Sequence, residues 1–193
     1  MFASNTWTNL AASYLPAVPL RYHVYMRIDS HVHIFPEDVR TNRERYLGRD
    51  AAFRALYTSP RTKTAGVEDL MAAMDRSGIN VSVLANIGWS DQGLCCETND
   101  FLLEAARRYP GRLVVFCGVN PASGAEAARE VHRCADLGAR GVGELHPDYQ
   151  GYSLSDALTM APVMTAAKKR AAKAPGGKGP VKKRPAGEKI MKT

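Results

Sequence analysis

The chain has 193 residues, 45% of them hydrophobic, and a formal net charge of +7, long enough for one domain with a substantial core. No apolar run reaches the ~18 residues that a membrane-spanning helix needs. The first 20 residues hold no Lys or Arg, and Asn5, Thr6, Thr8 and Asn9 break their apolar character. That excludes the basic start and unbroken apolar stretch of a secretory signal and sets the expectation of a cytoplasmic protein.

The charge is unevenly placed. Residues 168–193 carry ten Lys or Arg against the single acid Glu188, leaving sixteen basic and eighteen acidic residues in 1–167. The basicity therefore belongs to the C-terminal segment, and the remainder is slightly acidic.

Residues 1–25 show no period and read as an N-terminal extension. Val24 to Asp29 reads as a short apolar strand running into Ser30-His31-Val32-His33 and stopped by Pro36. A long arginine-rich connection over 34–66 follows, with Tyr46, Phe53, Leu56 and Tyr57 suggesting a helix inside it. Val67 to Ser77 has helical spacing, with Leu70, Met71 and Met74 on one face and Gly78 as its stop. Ile79 to Ile87 reads as a buried strand between glycines. Asn99 to Tyr109 reads as a helix closed by Pro110-Gly111, and Arg112 to Val119 as the next buried strand.

Ser123 and Glu126 are spaced as a capping box, opening a helix to Leu137. Gly141 to Leu145 is a fourth short strand, and Ser153 to about Arg170 a further helix. Strands alternating with helices every 30–40 residues predict right-handed βαβ units, about four of them, around a parallel sheet. From Lys173 the Lys, Ala, Pro and Gly content is too poor in apolar residues to fold alone, so 168–193 reads as a disordered, basic, low-complexity tail.

Cys95, Cys96, Cys117 and Cys134 form no CxxC pair or metal-knuckle spacing and read as reduced thiols. His31 and His33 are different. Two apart on one strand, they project from the same face, where two neutral imidazoles converge on a cation such as Zn²⁺. Asp29 and Ser30 beside them are candidates to orient the rings. A bare HxH also occurs as an ordinary surface pair. His23 and His132 lack such spacing.

Ile28-Asp29-Ser30-His31-Val32-His33-Ile34-Phe35-Pro36 resembles the opening of amidohydrolase-related proteins, the group with aminocarboxymuconate semialdehyde decarboxylase-like enzymes. Leu70 to Ile79, Asn99-Asp100 with Tyr109 to Arg112, Val119-Asn120-Pro121, and Gly141 to Ser155 resemble its later segments in the same order, so the likeness covers about 26–167. It implies a (β/α)₈ TIM barrel with one or two divalent metals at the carboxyl ends of its strands. His31 and His33 map onto the family's HxH ligands. Glu144 stands where some members place another ligand, and reads equally as a carboxylate bonded to a neighbour. His146, two residues on, is a weaker candidate; its loop position suits a structural role. No catalytic acid or base can be named.

The family takes a further histidine and an aspartate from later strands. This sequence has neither, so 26–167 is expected to be a truncated, half-barrel form of the fold, weakly active or inactive by itself and able to self-associate through open barrel edges. The implied function is metal-dependent hydrolysis of a C–N or C–O bond in a small molecule, with decarboxylation on the same fold as one alternative. Another is a non-catalytic fragment whose tail binds nucleic acid or other polyanions. Arg40, Arg43, Arg45, Arg49 and Arg54 read either as contacts to a substrate carboxylate or as a solvated helix face.

Overall fold

The structure, a computed structural model, describes residues 25–171. Four strands form one sheet: β1 (Ile28–Val32), β2 (Val81–Ala85), β3 (Leu113–Cys117) and β4 (Gly141–Val142), in the order β1-β2-β3-β4 with every pairing parallel. Spatial order equal to chain order, with helices in every crossover, is the pattern of successive βα units. The expected α/β architecture of four such units is what the chain forms.

Three short helices fill the first crossover, α1 (Glu37–Thr41), α2 (Arg43–Arg49) and α3 (Ala51–Tyr57). They are followed by α4 (Val67–Ser77), α5 (Gln92–Arg108), α6 (Ala125–Asp136), α7 (Pro147–Gln150) and α8 (Ala157–Ala171). The α4 helix matches its expected bounds because both ends are written locally. The Asp69 carboxylate accepts the Gly66 backbone N–H at 2.9 Å, and Gly78, at φ +65°, lets Ile79 N–H reach back to the Met74 carbonyl. The apolar faces of α4 and α5 then close over β2 and β3, burying Leu70, Met74, Leu84, Leu102 and Val115 in one core. A second core beneath the lid helices α1–α3 packs Phe35, Phe53, Tyr57 and Trp89, the Phe53 and Trp89 rings stacked at 5.0 Å.

Several elements differ from expectation. The first strand sits later, so that His31 lies in β1 and His33 just past it; Val24 lies outside the described residues. The α5 helix starts at Gln92 rather than Asn99, because Asp91 caps the Leu94 N–H at 2.9 Å and the first turn buries Leu94 and Cys95 in the second core. No capping box forms at Ser123, which belongs to a 3₁₀ turn, Pro121–Ser123; Gly124 is the residue ahead of α6, without a side-chain cap. The fourth strand stops at Val142, and the following residues turn across the end of the sheet. The α8 helix starts at Ala157, after Asp156 has capped Leu158 and Thr159, and runs to Ala171. Residues 1–24 and the segment from 172, which holds most of the expected basic tail, lie outside the described residues.

Candidate metal centre

The carboxyl ends of β1 and β4, with the residues that follow them, bring His31, His33 and Glu144 together. The rings of His31 and His33 sit edge to face with centroids 4.7 Å apart, their Nε2 atoms 3.0 Å from each other. Glu144 Oε2 lies 3.1 Å from each of those nitrogens. His31 is half exposed, whereas His33 and Glu144 are about one quarter exposed, so the cluster opens on one side.

Tautomers decide what this triangle can hold. His33 Nδ1 is 2.9 Å from the Ala85 carbonyl oxygen, which can only accept, so Nδ1 carries the hydrogen. Burial pulls the His33 pKa below its ordinary value, outweighing the Ala85 and Glu144 contributions that raise it. With Nδ1 donating to Ala85, the neutral form of His33, which burial favours, presents a lone pair at Nε2. A single hydrogen on His31 Nε2 can satisfy one edge of the triangle. It leaves the His33–Glu144 edge as lone pair against lone pair. A cation resolves all three edges at once, and separations near 3.0 Å are those of adjacent donors ~2.1 Å from a shared ion at roughly 90°. The residues fit a divalent metal.

Glu144 is not on a strand. Gly143 N–H bonds the Cys117 carbonyl at 2.9 Å, and Glu144 N–H turns to the Asn86 carbonyl at 2.7 Å, aiming the side chain back over β1. His146 Nε2 meets the other carboxylate oxygen, Glu144 Oε1, at 2.8 Å. Among the described residues, the side chain of Asp29, expected to orient the rings, instead accepts the backbone N–H of His31 at 3.3 Å. The orienting partner of His33 is the Ala85 carbonyl, which no sequence motif marks.

Beneath these loops lies a buried polar network that the sequence reading missed. Asn86 Nδ2 reaches Thr98 Oγ1 and Asn99 Oδ1, both at 2.7 Å, and Trp89 Nε1 donates to Asn86 Oδ1 at 3.0 Å. Asn99 in turn donates to the Gly118 carbonyl at 2.9 Å and to Glu130 at 2.8 Å. Buried amides leave no periodic signal; the NxxW and TN pairs were the available hint.

The five lid arginines contact the protein itself. Arg40 pairs with Glu37 and Asp69, Arg45 with Asp38, and Arg49 with Asp91 and Glu97. Arg54 donates to the Leu47 carbonyl, and Arg43 to the carbonyls of Tyr57, Ser59 and Thr62. Cys95, Cys117 and Cys134 are buried free thiols, and Cys96 is partly so. No described helix is long and apolar enough to cross a membrane.

The amidohydrolase family profile (Amidohydro_2) matches residues 28–172. The chain belongs to the amidohydrolase family. Solved structures agree on the fold. The 5-carboxyvanillate decarboxylase of Novosphingobium aromaticivorans, with bound manganese and 3-methoxy-4-hydroxy-5-nitrobenzoic acid, is 23% identical with a TM-score of 0.64, covering 76% of this amidohydrolase chain and 49% of its own. The 5-carboxyvanillate decarboxylase from Sphingomonas paucimobilis is 16% identical, with a TM-score of 0.58 over 76% and 50% of the two chains. A 2,6-dihydroxybenzoate decarboxylase complexed with 2,6-dihydroxybenzoate is 21% identical, at 0.50 over 76% and 48%. No curated protein matches. This amidohydrolase chain spans about half the length of the structures it matches, its four strands corresponding to half of their TIM barrel.

Proposed function

We propose that His31, His33 and Glu144 hold a divalent cation with which a small organic acid is activated at its carboxyl or carbonyl group. One observation carries the reading: His31 Nε2, His33 Nε2 and Glu144 Oε2 stand 3.0–3.1 Å from one another, the spacing of donors around a shared cation. When bound, such an ion supplies a Lewis acid that polarises an oxygen and acidifies water.

The chain's own residues prepare the place for it. Ala85 fixes the His33 tautomer, and the Asn86 carbonyl fixes the Glu144 backbone. Tyr57, on the lid, has its phenol pushed up to about 12 by burial and then by the charge of Glu144. It stays protonated near neutrality and is suited to donate to an anionic substrate oxygen.

Two reactions use this chemistry. Decarboxylation of an aromatic acid is supported by the aromatic carboxylates named with the similar structures. Hydrolysis of a C–N or C–O bond is supported by the family itself. The manganese bound in the Novosphingobium aromaticivorans decarboxylase supports Mn²⁺ beside Zn²⁺, the ion expected from the histidine pair alone.

The test is metal analysis and calorimetric titration of the full chain with Mn²⁺ and Zn²⁺, beside His31→Ala/His33→Ala. One ion per chain is expected in the wild type, with affinity at least 100-fold weaker in the double variant. Equal metal content in the two proteins would sink the reading. CO₂ release from hydroxybenzoates, set against ester and amide cleavage, then separates the two reactions.

A further inference from the structure

We infer that His146 is a positioning residue that turns Glu144 into a one-oxygen donor toward the two histidines. The inference rests on the metal-centre reading above and deepens it. Glu144 divides its carboxylate: Oε2 faces both imidazoles at 3.1 Å, while Oε1 lies 2.8 Å from His146 Nε2. A carboxylate oxygen accepts, so His146 donates from Nε2. Without that bond the carboxylate is free to rotate about its last torsion, which is broad and roughly two-fold for glutamate.

The imidazole is itself held in place. The backbone N–H of His146, not the ring, donates to Gln150 Oε1 at 2.8 Å, fixing the residue from which the imidazole projects. The Gln150 amide, almost wholly buried, donates to the carbonyls of Trp89 and Val119 at 2.9 Å each, in the loops after β2 and β3. A methyl group at Gly88 would stand 2.9 Å from the His146 backbone nitrogen and Cβ, so only glycine lets the imidazole seat this close. Tyr149 lies along its other side, ring centroids 5.6 Å apart. Three loops thus converge on a residue that touches the proposed ion only through Glu144.

Mn²⁺ titration of the full chain tests this with His146→Ala, His146→Gln and Glu144→Ala, each first shown folded by circular dichroism. His146→Ala is expected to keep one ion per chain but bind it roughly 10–100-fold more weakly. His146→Gln, whose amide can still donate to Oε1, should recover most of that loss. In the Glu144→Ala background the His146→Ala change should add nothing, because its effect runs through the carboxylate. Wild-type affinity in His146→Ala overturns the proposal. So does imidazole nitrogen coupling to manganese from three histidines rather than two, which would make His146 a ligand.

A wild type that binds no Mn²⁺ would overturn the metal reading instead. The positioning bond then remains measurable in the metal-free protein by ¹⁵N spectra of the ring. Nε2 protonation that depends on Glu144 supports it, and Nδ1 protonation refutes it.

Discussion

Glu130 is only 5% exposed, yet its carboxyl pKa lies at about 2. Burial pushes it up most strongly, but hydrogen bonds from Arg133, Asn99 and Cys134 more than reverse that. Arg133 binds it through Nε at 2.7 Å while reaching Asp100 at 2.6 Å. The charge therefore anchors the Asn86–Thr98–Asn99 chain that underlies the loops carrying His33 and Glu144. Because the folded pKa is depressed from the ordinary 4.5, the stabilisation is fully present above pH ~4.5. It is lost as pH falls towards about 2, and amounts to at most about 3 kcal/mol, discounted for the solvent that reaches Arg133. Urea unfolding of wild type and Glu130→Gln between pH 7 and 2.5 should show the wild-type advantage shrinking through that window. An advantage independent of pH would mean that the carboxylate charge contributes nothing.

The lid is an element-scale structure held by charge rather than by helix propensity, since none of α1–α3 exceeds seven residues. Buried Asp50 caps α3 at Phe53 N–H and takes Ser90 Oγ and Asp91 N–H with its other oxygen, tying the lid to the start of α5. Arg43 closes the far end through Tyr57, Ser59 and Thr62. Arg43→Ala should cost about 2–4 kcal/mol and speed amide exchange across 57–62 while leaving Mn²⁺ affinity within a few-fold; Lys should not rescue it, lacking the guanidinium fork. Unchanged exchange there would show that the aromatic core alone sets the lid.

None of this was readable in the sequence, where the same arginines offered only a substrate contact or a solvated face. What could be read was periodic or punctuated: α4 from Val67 to its stop at Gly78, the Val- and Leu-rich strands β2 and β3, and the same-face spacing of His31 and His33. Glu144 was seen as a candidate but placed on a strand, because the turn that aims it depends on a backbone bond to Asn86, 58 positions earlier in the chain. The Ser123 box failed for a related reason: Asn120 already caps the turn ahead of α6, accepting from Ala122 N–H at 3.0 Å.

At the scale of the whole molecule, the three side chains come from the carboxyl ends of the two outer strands of the sheet. His31 belongs to β1 and Glu144 follows β4, separated by 113 positions in sequence and by β2 and β3 in space. A cation shared between them would clip the sheet across its full width, in addition to the ladder bonds that join each strand only to its neighbour. Binding to the folded state alone stabilises by RT ln(1 + [M]/Kd), about 2.7 kcal/mol at 100 times Kd. For a protein of this size that raises Tm by roughly 5–10 °C. Thermal scans of the full chain with Mn²⁺ and then with excess chelator should differ by this amount, reversibly on re-addition. The metal-dependent shift should vanish in His31→Ala/His33→Ala and shrink in His146→Ala, since both act on the same clip. A chelator-induced drop that persisted in the double histidine variant would place the stabilising ion elsewhere, and the outer strands would then be held by packing and ladder bonds alone.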